Sequence, residues 1–193
     1  LLEPPEFEGH WDPHVWMDVS AWSQAVDAVA TALCEQAPEH CEKFTSNATS
    51  YKLKLEELHQ YATESIASIP EDQRVLITAH DAFNYFGRAF GLEVMAVQGM
   101  STAVKASSSD RVKMVGYVKE YNLKAIFVES SVNPSIIEEI ARETGVRVGG
   151  ELFSDAMGEL GQMEKGPDGE GYDVGTWVGM MKHNVNVFVE AMK

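Results

Sequence analysis

Four side chains in this 193-residue sequence are placed to hold a metal ion or move a proton: His14, His80, Glu129 and Asp155. His14 follows Asp12-Pro13. Proline keeps the residue before it extended and out of any helix, so His14 is presented at a defined bend, with Trp16 and Asp18 just beyond. His80-Asp81 ends one apolar run, Glu129 ends another, and Asp155 follows a third. Imidazole and carboxylate donors suit zinc, manganese or ferrous iron, and the same groups serve as general acids and bases. Taken singly, each has a structural explanation: His80-Asp81 as a helix-capping pair, Glu129 as a cap or ion-pair partner, Asp155 as a turn residue. Other chemical patterns are missing from the sequence, which contains no G-x-S-x-G, no H-E-x-x-H, no G-x-x-x-x-G-K and no C-x-x-C. The remaining histidines read as surface residues: His10 in an acidic loop beside Trp11, His40 and His59 on the polar side of a long helix, and His183 opposite an apolar helix face, exposed or capping. Asn47-Ala48-Thr49 has the form of a glycosylation sequon but lies within a helix and carries no expectation.

These residues can act together only if the intervening elements converge. Residues 1–13 are acidic, proline-rich and aperiodic, which predicts a loop. Val19, Trp22, Val26, Val29 and Leu33 alternate steps of three and four, predicting a helix over 18–37 that Pro38 ends. A second stripe of Phe44, Ala48, Tyr51, Leu55, Leu58, Ala62, Ile66 and Ile69 predicts a helix over 39–69, about 45 Å long. One narrow apolar stripe on so long a helix favours a strut over a coiled-coil arm. After Pro70 the period changes. Arg74–Ala79, Leu92–Val97, Lys124–Val128 and Val146–Phe153 read as strands, separated by helices over 82–90, 110–121 and from Asn133-Pro134 to Gly145. A Ser/Gly-rich loop is expected over Gly99–Ser109 and a Gly-rich acidic loop over Gly158–Tyr172, before a final amphipathic helix with Trp177, Met181, Val185, Phe188 and Met192. The fold class is therefore α/β, a parallel four-stranded sheet flanked by helices and preceded by a long connecting helix. Ligands bind outside the carboxyl ends of such strands, and His80, Gln98, Glu129 and Asp155 fall there.

A formal net charge of −15 argues against nucleic acid or anionic membrane as partner. No apolar run approaches the ~18 residues of a membrane span, and no basic segment followed by an apolar one marks a targeting signal. Cys34 and Cys41 flank Pro38; on spacing alone, a bond across a helix–helix junction and two free thiols are equally open.

The strings DPHVWMD (12–18), LITAHDAFNYFGRAFG (76–91), AIFVESSVNPSII (125–137) and GGELFSDAMG (149–158) resemble the solute-binding proteins of zinc/manganese ABC importers. The resemblance covers nearly the whole chain, in order. It implies two α/β lobes joined by one rigid helix, with a single ion at their interface. It maps 1–38 to the tail of the N-terminal lobe, 39–69 to the interlobe helix and 70–193 to the C-terminal metal-binding lobe. His14, His80 and Asp155 would be metal ligands. Ligand imidazoles need a partner on their other nitrogen, so Glu129 is expected beside the site, orienting a ligand or accepting from a backbone N–H, without touching the ion. The family normally has a further lobe before the DPH segment, carrying one more His ligand, so the sequence is expected to be a truncated form or fragment. The implied function is capture of zinc first, with manganese or iron possible, outside the cytoplasm and delivery to an ABC permease, with no catalysis. An oxidising compartment would favour a Cys34–Cys41 bond, and the exposed faces of a lone fragment would favour oligomers. Two rivals remain at this point. One is a metal-dependent hydrolase, with water at the open fourth position of a His/His/Asp site and Glu129 as base; the other is an adhesin with a structural metal.

Overall fold

The computed structural model describes residues 1–4, 9–99, 106–121 and 123–193. Asp18 caps the first helix, its carboxylate accepting from the backbone N–H groups of Ser20 and Ala21, and α1 runs Val19–Gln36. A 3-10 turn over Pro38–His40 leads into α2, Cys41–Ala67, about 40 Å long at 1.5 Å per residue. The Cys34–Cys41 disulfide joins the end of α1 to the start of α2, with Cα atoms 4.5 Å apart. α2 buries Leu55, Leu58, Ala62 and Ile66, the second half of its stripe, whereas Phe44, Ala48 and Tyr51 in the first half stay half-exposed against α1.

Beyond Pro70 follow β1 Val75–His80, α3 Asn84–Phe90, β2 Glu93–Gln98, α4 Ser108–Tyr121, β3 Ala125–Glu129, α5 Ser135–Thr144 and β4 Arg147–Leu152. Most of the expected Gly99–Ser109 loop lies outside the described residues. The side chain of Asn133 accepts from the Ser135 N–H, so the signal at Asn133-Pro134 does open α5. The central strands β1 and β3 are buried on both faces, whereas β2 and β4 are partly exposed. Leu76, Ala125 and Phe127 pack with α2, α3 and α6, while Ile77, Ala79 and Ile126 pack with α4 and α5.

The sheet departs from the expectation of one continuous four-stranded layer. β1 pairs with β2 and β3 with β4, each pair parallel. β1 lies alongside β3 without a backbone ladder. At the carboxyl end the reason is visible: the His80 N–H donates to the Glu129 carboxylate at 2.9 Å, so a side chain takes the donor a ladder would use. The strand arrangement β2-β1-β3-β4 reverses direction between β1 and β3, the switch point at which α/β sheets open a crevice. The expected Gly158–Tyr172 loop also needs correction. It contains an antiparallel hairpin, β5 Met163–Lys165 with β6 Gly171–Asp173. Its turn is closed by the Gly169 N–H on Gly166 O and the Glu170 N–H on Asp168 Oδ1. Strands of three residues are too short to show a period of two. The final helix, α6 Trp177–Met192, begins at Thr176, whose hydroxyl accepts from the Gly179 N–H. It packs against β4 and α2.

Candidate metal centre

The site is assembled at the switch point from three elements. His80 is the last residue of β1, Asp155 lies three residues beyond β4, and His14 opens the 3-10 turn Val15–Met17. One donor atom of each lies within 4.8 Å of the other two. Nε2 of His14 is 3.5 Å from Asp155 Oδ1, and Nε2 of His80 is 3.4 Å from Oδ2. The two rings meet edge to face, 5.6 Å between centroids. Both imidazoles are buried, whereas the Asp155 side chain is about a third exposed and faces the way out.

Each ring is held from behind by a buried carboxylate. Glu129, at the end of β3, places Oε2 2.5 Å from His80 Nδ1 while Oε1 accepts from the His80 N–H; the first contact is an ion-pair approach without hydrogen-bond alignment. Asp12 Oδ1 accepts from both the His14 N–H (2.9 Å) and the His14 ring Nδ1 (2.7 Å). Each outer nitrogen thus faces a carboxylate, the His14 one through a hydrogen bond and the His80 one through an ion-pair approach, and both Nε2 atoms face Asp155 in the cluster. Nε2 of His80 has no hydrogen-bond partner among the described residues although it is fully buried. Burial disfavours charge on His80, but Glu129 and Asp155 outweigh it and raise its pKa above the ordinary 6.5. The Asp12 carboxyl is pulled the other way: burial would raise it, yet its bonds to His14 and Asn84 hold it below the usual carboxylate range. Two imidazoles and a carboxylate meeting at one point could hold a first-row transition ion.

The helix following His80 grips the segment that carries His14. Asn84 Nδ2 donates to Asp12 Oδ2 (3.2 Å), Tyr85 OH to Asp12 O (3.3 Å) and Arg88 to Asp18 Oδ2 (2.6 Å). Glu129 stands behind His80, on the side away from the converging Nε2 atoms.

Residues 3–191 match the family described as "ZnuA: Zinc-uptake complex component A periplasmic". The chain belongs to this family. It is 42% identical over 190 residues to the zinc-binding protein TroA of Treponema pallidum, covering 96% of this chain and 58% of that protein. It is 41% identical over 195 residues to the manganese-binding lipoprotein MntA of Bacillus subtilis, covering 98% and 60%. The solved structure of periplasmic TroA superposes with a TM-score of 0.89 at 40% identity, over 99% of this chain and 66% of that one. The chain thus spans about 60% of the length of these curated relatives.

Within this ZnuA-family chain, His14, His80 and Asp155 converge with Glu129 behind His80, and Gln98 lies opposite His80 in the β1–β2 register. Asp12 carries a role its sequence position does not advertise: only the turn around Pro13 brings a carboxylate two residues upstream back onto the ring. Two histidines are more engaged than expected. His183 is half-buried, not exposed, with Nδ1 on Glu164 Oε2 (2.8 Å) and Nε2 on the Glu151 carbonyl (2.9 Å), because the uncounted hairpin folds β5 over it. His59 is half-buried against Phe90. His10 and His40 are exposed.

Proposed function

We propose that this chain belongs to an extracytoplasmic receptor that binds a divalent transition metal and delivers it to an ABC permease, without catalysing a reaction. His14, His80 and Asp155 bind the ion, and Glu129 orients His80. In this reading residues 1–38 are the tail of an N-terminal lobe, 39–69 the interlobe helix and 70–193 the metal-binding lobe. The observation that carries it is the convergence of three donors within 4.8 Å, with both imidazoles backed by buried carboxylates. Holding ligand rings from behind with carboxylates orients them before the ion arrives, which is how metal sites gain affinity. The names of TroA and MntA place zinc and manganese in the same ligand class. Nitrogen donors favour zinc over manganese along the Irving–Williams order, so zinc is the first cargo, and a tetrahedral ion on these three has room for one more donor. The hydrolase reading lacks its base, since Glu129 faces His80 Nδ1 and the backbone, not the open position.

The test is competition titration of metal-stripped protein with zinc and manganese against a chromophoric chelator. One ion should bind, zinc more tightly. His80→Ala should cost at least the roughly 10- to 100-fold that even outer contacts to a metal site are worth, while exposed His40→Ala should cost nothing. Equal losses at both positions would overturn the assignment.

A further inference from the structure

Asp155 is held differently from the two histidines. Among the described residues its carboxylate meets only the two imidazoles, and it lies on an irregular segment beyond β4. Backbone contacts fix that segment. The side-chain amide of Asn184 in α6 accepts from the Phe153 N–H at 2.9 Å and donates to Phe153 O at 2.8 Å. Because β4 ends at Leu152, this amide stands in for the next rung of a ladder where the strand leaves the sheet. Asn184 is 1% exposed in a stretch of α6 that otherwise buries Met180, Met181, Val185 and Phe188. A primary amide in such surroundings is costly unless bonded, and packing alone would be served better by leucine. One residue on, Ser154 O accepts from Trp16 Nε1 at 3.0 Å, and the Ser154 hydroxyl pairs with that of Ser131 at 2.7 Å.

Trp16 belongs to the turn that His14 opens, and its carbonyl accepts from Trp177 Nε1 at 3.2 Å. Trp177 and Asn184 are seven residues apart on α6, about two turns, and so share a face. With that one face α6 reaches both the turn bearing His14 and the segment bearing Asp155.

We propose that α6 is the brace of the metal centre: Asn184, together with Trp16 and Trp177, positions the Asp155 carboxylate against the two imidazoles and thereby sets how long the ion stays. The inference rests on the reading that His14, His80 and Asp155 bind the ion. A metal–oxygen bond spans only about 2.0–2.2 Å, so a segment free to drift loses its donor. Asp155 is also the donor open to solvent, and loosening it acts chiefly on dissociation.

Asn184→Leu in the full chain keeps the branched shape, at a larger volume, and removes both hydrogen bonds. Zinc affinity is read by competition titration, dissociation by chelator-induced release, donor geometry by cobalt absorption, and folding by the melting temperature of the metal-free protein. The expected result is a loss of about 10- to 100-fold, as for other outer contacts to a metal site, mainly in the dissociation rate, with an altered cobalt spectrum. In an Asp155→Ala background the same substitution should change affinity by no more than about twofold, the margin of additivity for groups that no longer interact. Trp16→Phe removes the indole N–H on Ser154 O together with part of a ring that also lies edge-on to His14, and the part of its loss that disappears in the Asp155→Ala background is the part due to the brace; it carries the comparison if Asn184→Leu fails to fold. Equal losses with and without Asp155, or no loss in either variant, would overturn the brace alone. An Asp155→Ala chain that binds zinc like the unaltered one would overturn the site reading and the brace with it.

Discussion

His80 is both the last residue of a buried strand and a donor to the cluster, and Glu129 reconciles the two demands. One carboxylate oxygen takes the backbone N–H and the other faces the ring. Glu129→Gln keeps the shape and removes the charge. Zinc should then bind about tenfold more weakly, the lower end for such outer contacts, with unchanged stoichiometry by calorimetric titration; complete loss would make Glu129 a donor itself. The same pair fixes a pH dependence. An imidazole must be neutral to bind a metal, and His80's pKa is raised above 6.5. Zinc affinity should therefore start to fall, on acidification, above pH 6.5. The metal-free protein should behave oppositely. A raised folded-state pKa contributes stability that is fully present below the unfolded value and lost as pH rises through the folded one. Melting temperatures of stripped and zinc-loaded protein should thus diverge as pH increases across this window; parallel curves would refute the assignment to His80.

Among the elements, α6 sits on β4 at a separation that only glycine permits. A Cβ on Gly149 would lie 2.6 Å from Phe127 Cε1, 2.7 Å from Ala191 Cβ and 2.9 Å from Ala125 Cβ. Two of these neighbours are short side chains that cannot turn aside, so Gly149→Ala must push helix and strand apart. Overpacking of this kind costs about 1–3 kcal/mol, measurable as a lowered urea midpoint with unchanged slope. A midpoint equal to that of the unaltered chain would show that the contact can relax without loss.

For the whole molecule, the polarity of the two leading helices decides the outcome. α1 buries only Val19 among its residues, and Val29 and Leu33 remain 58% and 43% exposed. With Trp22, Val26, Phe44 and Tyr51 they line a cavity of about 360 Å³ between α1 and α2. A contiguous apolar surface of this sort drives association. Light scattering at tens of micromolar is expected to show dimers or larger species, and Leu33→Lys with Val29→Glu to shift them toward monomer; a monodisperse unaltered chain would contradict this.

The sequence by itself determined the order and type of most elements, because the stripes of α1 and α2 and the apolar runs of β1 and β3 are long enough for periodicity to speak. It also placed His80, Glu129 and Asp155 on one edge, since the strands of a parallel sheet end together. Only tertiary structure decided the rest. The β5–β6 hairpin is too short to carry a pattern and exists through its turn and its cover over His183. Asp12 reaches His14 through a local turn, and Asn184 reaches Phe153 across 31 residues. A buried Asn in an apolar helix face and an Asp two residues before a His look unremarkable in one dimension. Their partners are backbone groups and ring nitrogens, which every sequence contains, and only folding selects which of them come within hydrogen-bond reach.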